Sequence, residues 1–111
     1  MEWLSDTDDL CIVLCTAPDQ QTAESLARAV VGDGLVACVN IIPQVKSIYR
    51  WKGQVCEDAE LLLVMKTSRE RFVRLSERVR ALHPYETPEL IATPLVGGLA
   101  PYVEWVRSET R

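Results

Sequence analysis

The fold is decided by residues 35–67, which read LVACVNIIPQVKSIYRWKGQVCEDAELLLVMKT. Strand-forming β-branched and aromatic residues recur in both halves, and Lys52-Gly53-Gln54 between them is typical of a tight turn. The pattern predicts a β-hairpin with one arm at 35–51, interrupted at Pro43, and the other at 55–67. Strands usually have about five or six residues. We therefore expect part of this hairpin to extend beyond the sheet that the helices cover.

The segments that flank the hairpin alternate between strand and helix. Hydrophobic periodicity predicts a strand at 10–16, a helix between 18 and 32, a helix ending near 82, a strand at 90–93 and a helix near 101–107. Thr67 and Glu70 match a capping box at the start of the second helix. The order predicts the α+β class: a ferredoxin-like βαββαβ sandwich with an overlong β-hairpin and an extra C-terminal helix.

Composition restricts the function classes. At 111 residues we expect one domain over 10–111, preceded by a flexible N-terminal tail at 1–9. The net charge of −4 argues against nucleic acid as a partner, and no apolar run is long enough for a membrane span. The four cysteines form no CxxC pair, and the N-terminus does not resemble a signal peptide. These features predict a cytoplasmic protein with reduced thiols.

Three distant segments are expected to meet at one edge of the sheet. The topology places the end of the first strand (Cys15), the hairpin tip (Trp51) and the end of the second helix (His83) there. Two prolines, Pro84 and Pro88, stiffen the loop that follows His83. A thiolate and an imidazole together are ligands that suit copper or zinc.

Five segments in order resemble the CutA divalent-cation tolerance family. They are CTAPD (15–19), GLVACVNIIP (34–43), SIYRWKG (47–53), MKT (65–67) and HPYETPE (83–89), and the resemblance covers about residues 10–107. It implies a PII-like homotrimer linked to tolerance of copper and other divalent cations. In the bacterial pattern, a cysteine after the first strand and two adjacent histidines after the second helix contact copper. Cys15 and His83 match two of these ligands, and Leu82 stands at the position of the first histidine.

The residues themselves leave other interpretations open. Cys15 also fits a buried strand cysteine, and His83 fits a side chain that caps a helix end. The aromatic residues Tyr49 and Trp51 suit either a subunit interface or the wall of a cleft between subunits. The candidates to face such a cleft are Lys66, Tyr85, Glu86 and Glu89.

Three functions follow from these interpretations. The first is a metal-tolerance protein that binds a metal ion. The second is a PII-like sensor that binds a small ligand in clefts between subunits, and the third is a trimeric scaffold for a partner protein. We expect no enzyme activity, because the sequence has no Ser/His/Asp set, phosphate loop or HExxH motif.

Overall fold

The computed structural model describes residues 2–111, and Met1 lies outside the described part. The elements, in chain order, are β1 (Trp3–Leu4), β2 (Leu10–Ala17), α1 (Gln20–Gly32), β3 (Cys38–Trp51), β4 (Gln54–Ser68), a 3₁₀ turn (Arg69–Arg71), α2 (Phe72–Leu82), β5 (Leu90–Pro94), β6 (Gly98–Leu99) and α3 (Ala100–Glu109). None of the helices described within residues 2–111 is long and apolar enough to cross a membrane.

The main sheet has the strand order that the sequence predicts. Its four strands run β3-β4-β2-β5, and every neighbouring pair is antiparallel. β2 therefore lies in the centre, which agrees with its apolar sequence. This order and the α1 and α2 connections confirm the ferredoxin-like α+β sandwich with α3 added at the C-terminus.

The two faces of the sheet are covered differently. Alternate residues of the central strands, such as Val13 and Leu63, are fully buried beneath α1 and α2 in the main core cluster. On the opposite face, α3 packs over Leu10 at one end. Further along that opposite face the apolar side chains of Ile42 and Ile91 remain 46% and 57% exposed. We call this opposite side the open face.

The hairpin has the predicted length and contains a bulge. Its tip is the two-residue turn Lys52-Gly53, where both residues have positive φ, as a type I′ hairpin turn requires. The register shifts between Ile42 and Val45, so Pro43 and Gln44 together face one residue of β4. Because strand side chains alternate between faces, the extra residue reverses which side chains of β3 point toward the open face.

The sequence predicts a flexible tail at 1–9, and residues 2–9 of this segment make specific contacts in the structure. Trp3–Leu4 pairs with Gly98–Leu99 in a second, two-stranded sheet, and Thr7 is fully buried. The Thr7 hydroxyl donates to the carbonyl of Leu95 at 2.5 Å. The segment is ordered by distant partners near the C-terminus, and such contacts leave no local hydrophobic pattern to detect.

The predicted capping box is also wrong. β4 continues through Ser68, and the side-chain hydroxyl of Thr67 is buried and donates to the carbonyl of Leu35 at 2.6 Å. A 3₁₀ turn then leads into α2 without a side-chain cap. The tertiary contact with Leu35 has replaced the local capping bond that the spacing suggested. By contrast, Asp19 does cap α1, with its carboxylate accepting from the backbone N–H of Thr22 at 2.7 Å.

Candidate functional site

A cleft of about 580 Å³ lies where the hairpin, the end of β2 and the loop after α2 meet. Its lining residues come from these three segments: Thr16, Tyr49, Trp51, Asp58, Glu60, Pro84, Tyr85, Glu86, Thr87, Pro88 and Glu89. We call this space the acidic cleft, because four of these residues are carboxylic acids and none is lysine, arginine or histidine. A volume of this size is within the usual range for small-molecule sites.

The bulge in β3 accounts for the aromatic side of the acidic cleft. After the bulge Val45 pairs with Glu60, so Tyr49 and Trp51 lie on the same face as Asp58 and Glu60. Without the extra residue, the alternation would turn both aromatic side chains to the other face. The hairpin therefore supplies carboxylates from one arm and aromatic rings from the other.

Two tyrosines donate hydrogen bonds to cleft carboxylates. The Tyr85 hydroxyl donates to Oε2 of Glu60 at 2.8 Å, and the Tyr49 hydroxyl donates to Asp58. The bond to Asp58 is the main reason that the pKa of Tyr49 is raised to about 12. Burial, followed by the bond to Glu60, raises the pKa of Tyr85 above its usual range. Both tyrosines therefore remain neutral donors at physiological pH and hold the carboxylates in place.

His83 is locked by hydrogen bonds at both ring nitrogens. Nε2 donates to the backbone carbonyl of Thr16 at 2.7 Å, and Nδ1 accepts from the backbone N–H of Tyr85 at 3.1 Å. A ring that accepts at Nδ1 and donates at Nε2 is the neutral tautomer with its proton on Nε2. The side chain is only 7% exposed and joins the end of β2 to the stiff loop. In this arrangement neither nitrogen offers a lone pair to a metal ion.

Cys15 lies next to this site but points away from it. Its side chain is fully buried in the core cluster beneath the helices, and its thiol lies 3.6 Å from the carbonyl of Thr16. Burial, reinforced by the charges of Glu89 and Glu60, raises the pKa of the Cys15 thiol to about 12. Since metals bind the thiolate, this thiol does not fit a metal ligand in its present position.

The sequence-predicted cleft residues divide into two groups. Tyr49, Trp51, Tyr85, Glu86 and Glu89 all line the acidic cleft. Lys66 does not, because it lines a smaller apolar pocket beside α3 and its ammonium group donates to Asn40. Leu82 is 41% exposed and lies in a shallow depression against α1.

Sequence reasoning missed the two central carboxylates of the cleft as such. Asp58 and Glu60 are not among the cleft residues predicted from the sequence, whereas the structure places both in the lining of the cleft. The sequence does carry a signal for them: Cys56, Asp58 and Glu60 are spaced two residues apart, so their side chains lie on one face of the overhanging arm. Three or more metal-ligating side chains do not converge anywhere in residues 2–111. A single chain as described therefore does not form a complete metal site.

The fold and the cleft together define a class: a ferredoxin-like α+β protein with an overhanging hairpin and an acidic cleft at its base. Comparison with known proteins identifies the family. The profile described as CutA1 divalent ion tolerance protein matches residues 11–109. The chain belongs to this family.

Two named relatives and a solved structure illustrate the similarity. The chain is 50% identical over 99 residues to "Divalent-cation tolerance protein CutA" of Thermus thermophilus, covering 89% of this chain and 96% of the relative. It is 41% identical over 111 residues to "Protein CutA, chloroplastic" of Arabidopsis thaliana, covering all of this chain but 61% of that relative. The structure of the Thermus thermophilus divalent cation tolerance protein superposes with a TM-score of 0.90 at 48% identity, covering 92% of this chain and 99% of that one.

Proposed function

We propose that the protein acts in divalent-cation tolerance as a cytoplasmic homotrimer whose acidic clefts bind a divalent cation. The observation that carries the proposal is the acidic cleft itself, with four carboxylates and no cationic side chain among its lining residues. Carboxylate oxygens suit hard divalent cations such as Mg²⁺, Ca²⁺ and Mn²⁺. The family's description supports cation tolerance as the wider role.

The open face supports assembly of several chains. Val64 of β4, Leu14 of β2 and Ile91 of β5 lie side by side on it. Ile91 is exposed and Leu14 and Val64 are half-buried, and contiguous apolar surface of this kind indicates an interaction site. A second copy of the chain would cover this surface. The resemblance to CutA proteins favours three copies, arranged with cyclic symmetry.

A charge on the open face tests this assembly. We expect light scattering to give about 37 kDa for the unmodified protein, three times the 12.5 kDa chain. Ile91→Glu should lower this mass, because it places a carboxylate in the buried contact. Val73→Glu is the matched control, since Val73 is 66% exposed on α2, away from the open face. A 12.5 kDa particle for the unmodified protein, or unchanged mass in Ile91→Glu, would contradict the proposal.

The metal ligands are expected to come from more than one chain. A divalent ion needs several oxygen ligands at about 2.0–2.6 Å, and no described single-chain cluster supplies them. A neighbouring subunit bordering the cleft would complete the set. Mn²⁺ binding can be measured by electron paramagnetic resonance, because the signal of the free ion is lost when it binds. We expect Glu60→Gln to bind Mn²⁺ more weakly than the parent protein. The exposed Glu57, which does not line the cleft, provides the control Glu57→Gln. Equal binding by the two variants would place the ion elsewhere.

Copper binding through Cys15 and His83 is a separate proposal that requires rearrangement. His83 would have to release Thr16 or Tyr85, and Cys15 would have to leave the core and ionise. We therefore expect weak copper binding, measured by competition with a chromogenic chelator. If these residues are ligands, His83→Ala and Cys15→Ser will weaken it, while Leu82→His will strengthen it. Unchanged affinity in all three variants would exclude this pair.

A further inference from the structure

The acidic cleft contains a buried carboxylate that lacks a positive partner. Glu60 is only 7% exposed, and the one hydrogen bond it accepts within residues 2–111 comes from the neutral Tyr85 hydroxyl at Oε2. None of the ion pairs of the described chain includes Glu60. The second oxygen, Oε1, accepts no hydrogen bond within residues 2–111, and it faces the open cleft because no side-chain oxygen of the described residues is both buried and unpaired. It is therefore free to pair with a positively charged ligand there.

The charges of the cleft are spread out instead of converging on a point. Asp58 and Glu60 come from β4, whereas Glu86 and Glu89 come from the loop after α2. No set of three among them is close enough to hold a metal ion in the described chain. Within a single chain, separated carboxylates match a ligand whose positive charges are also separated. A linear molecule with two or more ammonium groups has that layout.

The walls between these carboxylates suit the carbon chain of such a molecule. Tyr49, Trp51 and Tyr85 present aromatic rings to the cleft, and Pro84 and Pro88 add apolar surface. Aromatic faces attract ammonium groups within about 6 Å of the ring centroid. The Lys52 ammonium already lies 5.8 Å from the Trp51 ring centroid, so this ring accepts an ammonium partner in the protein itself.

We infer that the acidic cleft binds a linear oligoammonium ion of the aliphatic polyamine class, with Glu60 pairing with one ammonium group and Trp51 and Tyr49 flanking the chain. The inference uses the cleft of the proposed function but not its metal ion. Both ligands would use Glu60, whereas only the oligoammonium ion would use Trp51, so the two kinds of binding can be told apart.

Calorimetric titration of the assembled protein with spermidine tests the inference, with neutral 1,6-hexanediol as the control ligand. We expect spermidine to bind, hexanediol not to bind, and added salt to weaken the affinity. Glu60→Gln should weaken spermidine binding about tenfold, as expected for loss of a charge-assisted bond. Glu57→Gln should leave it unchanged, because Glu57 does not line the cleft.

A second variant separates this ligand from the metal ion. Trp51→Leu should weaken spermidine binding several-fold and leave Mn²⁺ binding unchanged, because an indole ring supplies no metal ligand. Light scattering on each variant shows whether assembly is intact. If Trp51→Leu does not assemble, the comparison of spermidine binding by Glu60→Gln and Glu57→Gln tests the inference. The inference is overturned if spermidine gives no heat of binding or if Glu60→Gln binds it like Glu57→Gln. A lysine or arginine of a neighbouring copy seated against Glu60 would also overturn it.

Discussion

The buried thiol of Cys15 gives the sharpest quantitative prediction. With a pKa of about 12, about one thiol in 10⁵ is ionised at pH 7, compared with about one in 10² at the ordinary value of 9.0. Alkylation proceeds through the thiolate, and the thiolate fraction of Cys15 is about 1000-fold lower than that of an unperturbed thiol. A more basic thiolate is more nucleophilic, which recovers about 15–30-fold, so native Cys15 should react at least about 30-fold more slowly. Burial of the side chain should slow the reaction further.

The assay is iodoacetamide labelling of the native protein at pH 7–9, with each cysteine quantified by peptide mass spectrometry. Cys56 is the internal control, because it lies partly exposed on the hairpin. Labelling in denaturant should bring Cys15 and Cys56 to similar rates. If native Cys15 reacts as fast as native Cys56, the thiol is accessible and ionisable, and the argument against its role as a metal ligand in this conformation fails.

The same thiol predicts how stability depends on pH. Its pKa is raised on folding, so its contribution to stability is fully present below about pH 9 and is lost as pH rises toward 12. The loss is about 1.4 kcal/mol for each pH unit in this window. Urea unfolding of the parent and Cys15→Ala between pH 8 and 11 isolates the effect, since Cys11 and the tyrosines titrate in both proteins. Parallel pH profiles for the two proteins would contradict the account.

Three further predictions concern the scaffold. Deleting Gln44 should remove the bulge, turn Trp51 to the other face and abolish spermidine binding while circular dichroism keeps its strand signal; retained binding would refute the alternation argument. Arg107→Ala removes two bonds to Asp9 at 2.9 and 3.0 Å, so amide exchange at residues 2–9 should accelerate and stability should fall by about 1 kcal/mol. Because Arg107 lowers the pKa of Asp9, this contribution should be complete above the ordinary value of 3.8 and should decline as pH falls below it. An Arg107→Ala effect that stays constant as pH is lowered through this range would rule out the ion pair. Thr67→Val should cost about 1–2 kcal/mol in urea unfolding by leaving the Leu35 carbonyl without its donor, whereas Ser108→Ala on exposed α3 should cost little.

The hairpin and the helices were predictable because their signals are local. Alternating β-branched residues, the Lys52-Gly53 turn and the capping Asp19 each fix the backbone within a few positions. The strand order also predicts that His83 lies near the end of β2. The hydrogen bond between His83 and the Thr16 carbonyl confirms this proximity. Local pattern and right-handed connectivity were sufficient for these features.

The orientation of individual side chains was not predictable in the same way. The run at 10–16 is apolar on both faces, so the sequence does not reveal that Cys15 faces the core and Thr16 faces the cleft. Pro43 marks an interruption in the strand, but it does not reveal that one extra residue is inserted there and that the alternation reverses. Both features depend on the register in which neighbouring strands pair, and this register is fixed by the packing of the whole sheet.

If the acidic cleft is a cation site, crystals soaked in Mn²⁺ should show the ion there in an anomalous difference map. We expect a peak within coordination distance of the Glu60 or Asp58 carboxylate, with further ligands from a neighbouring copy. A map with no peak in the cleft, or with its only peak between Cys15 and His83, would contradict this expectation.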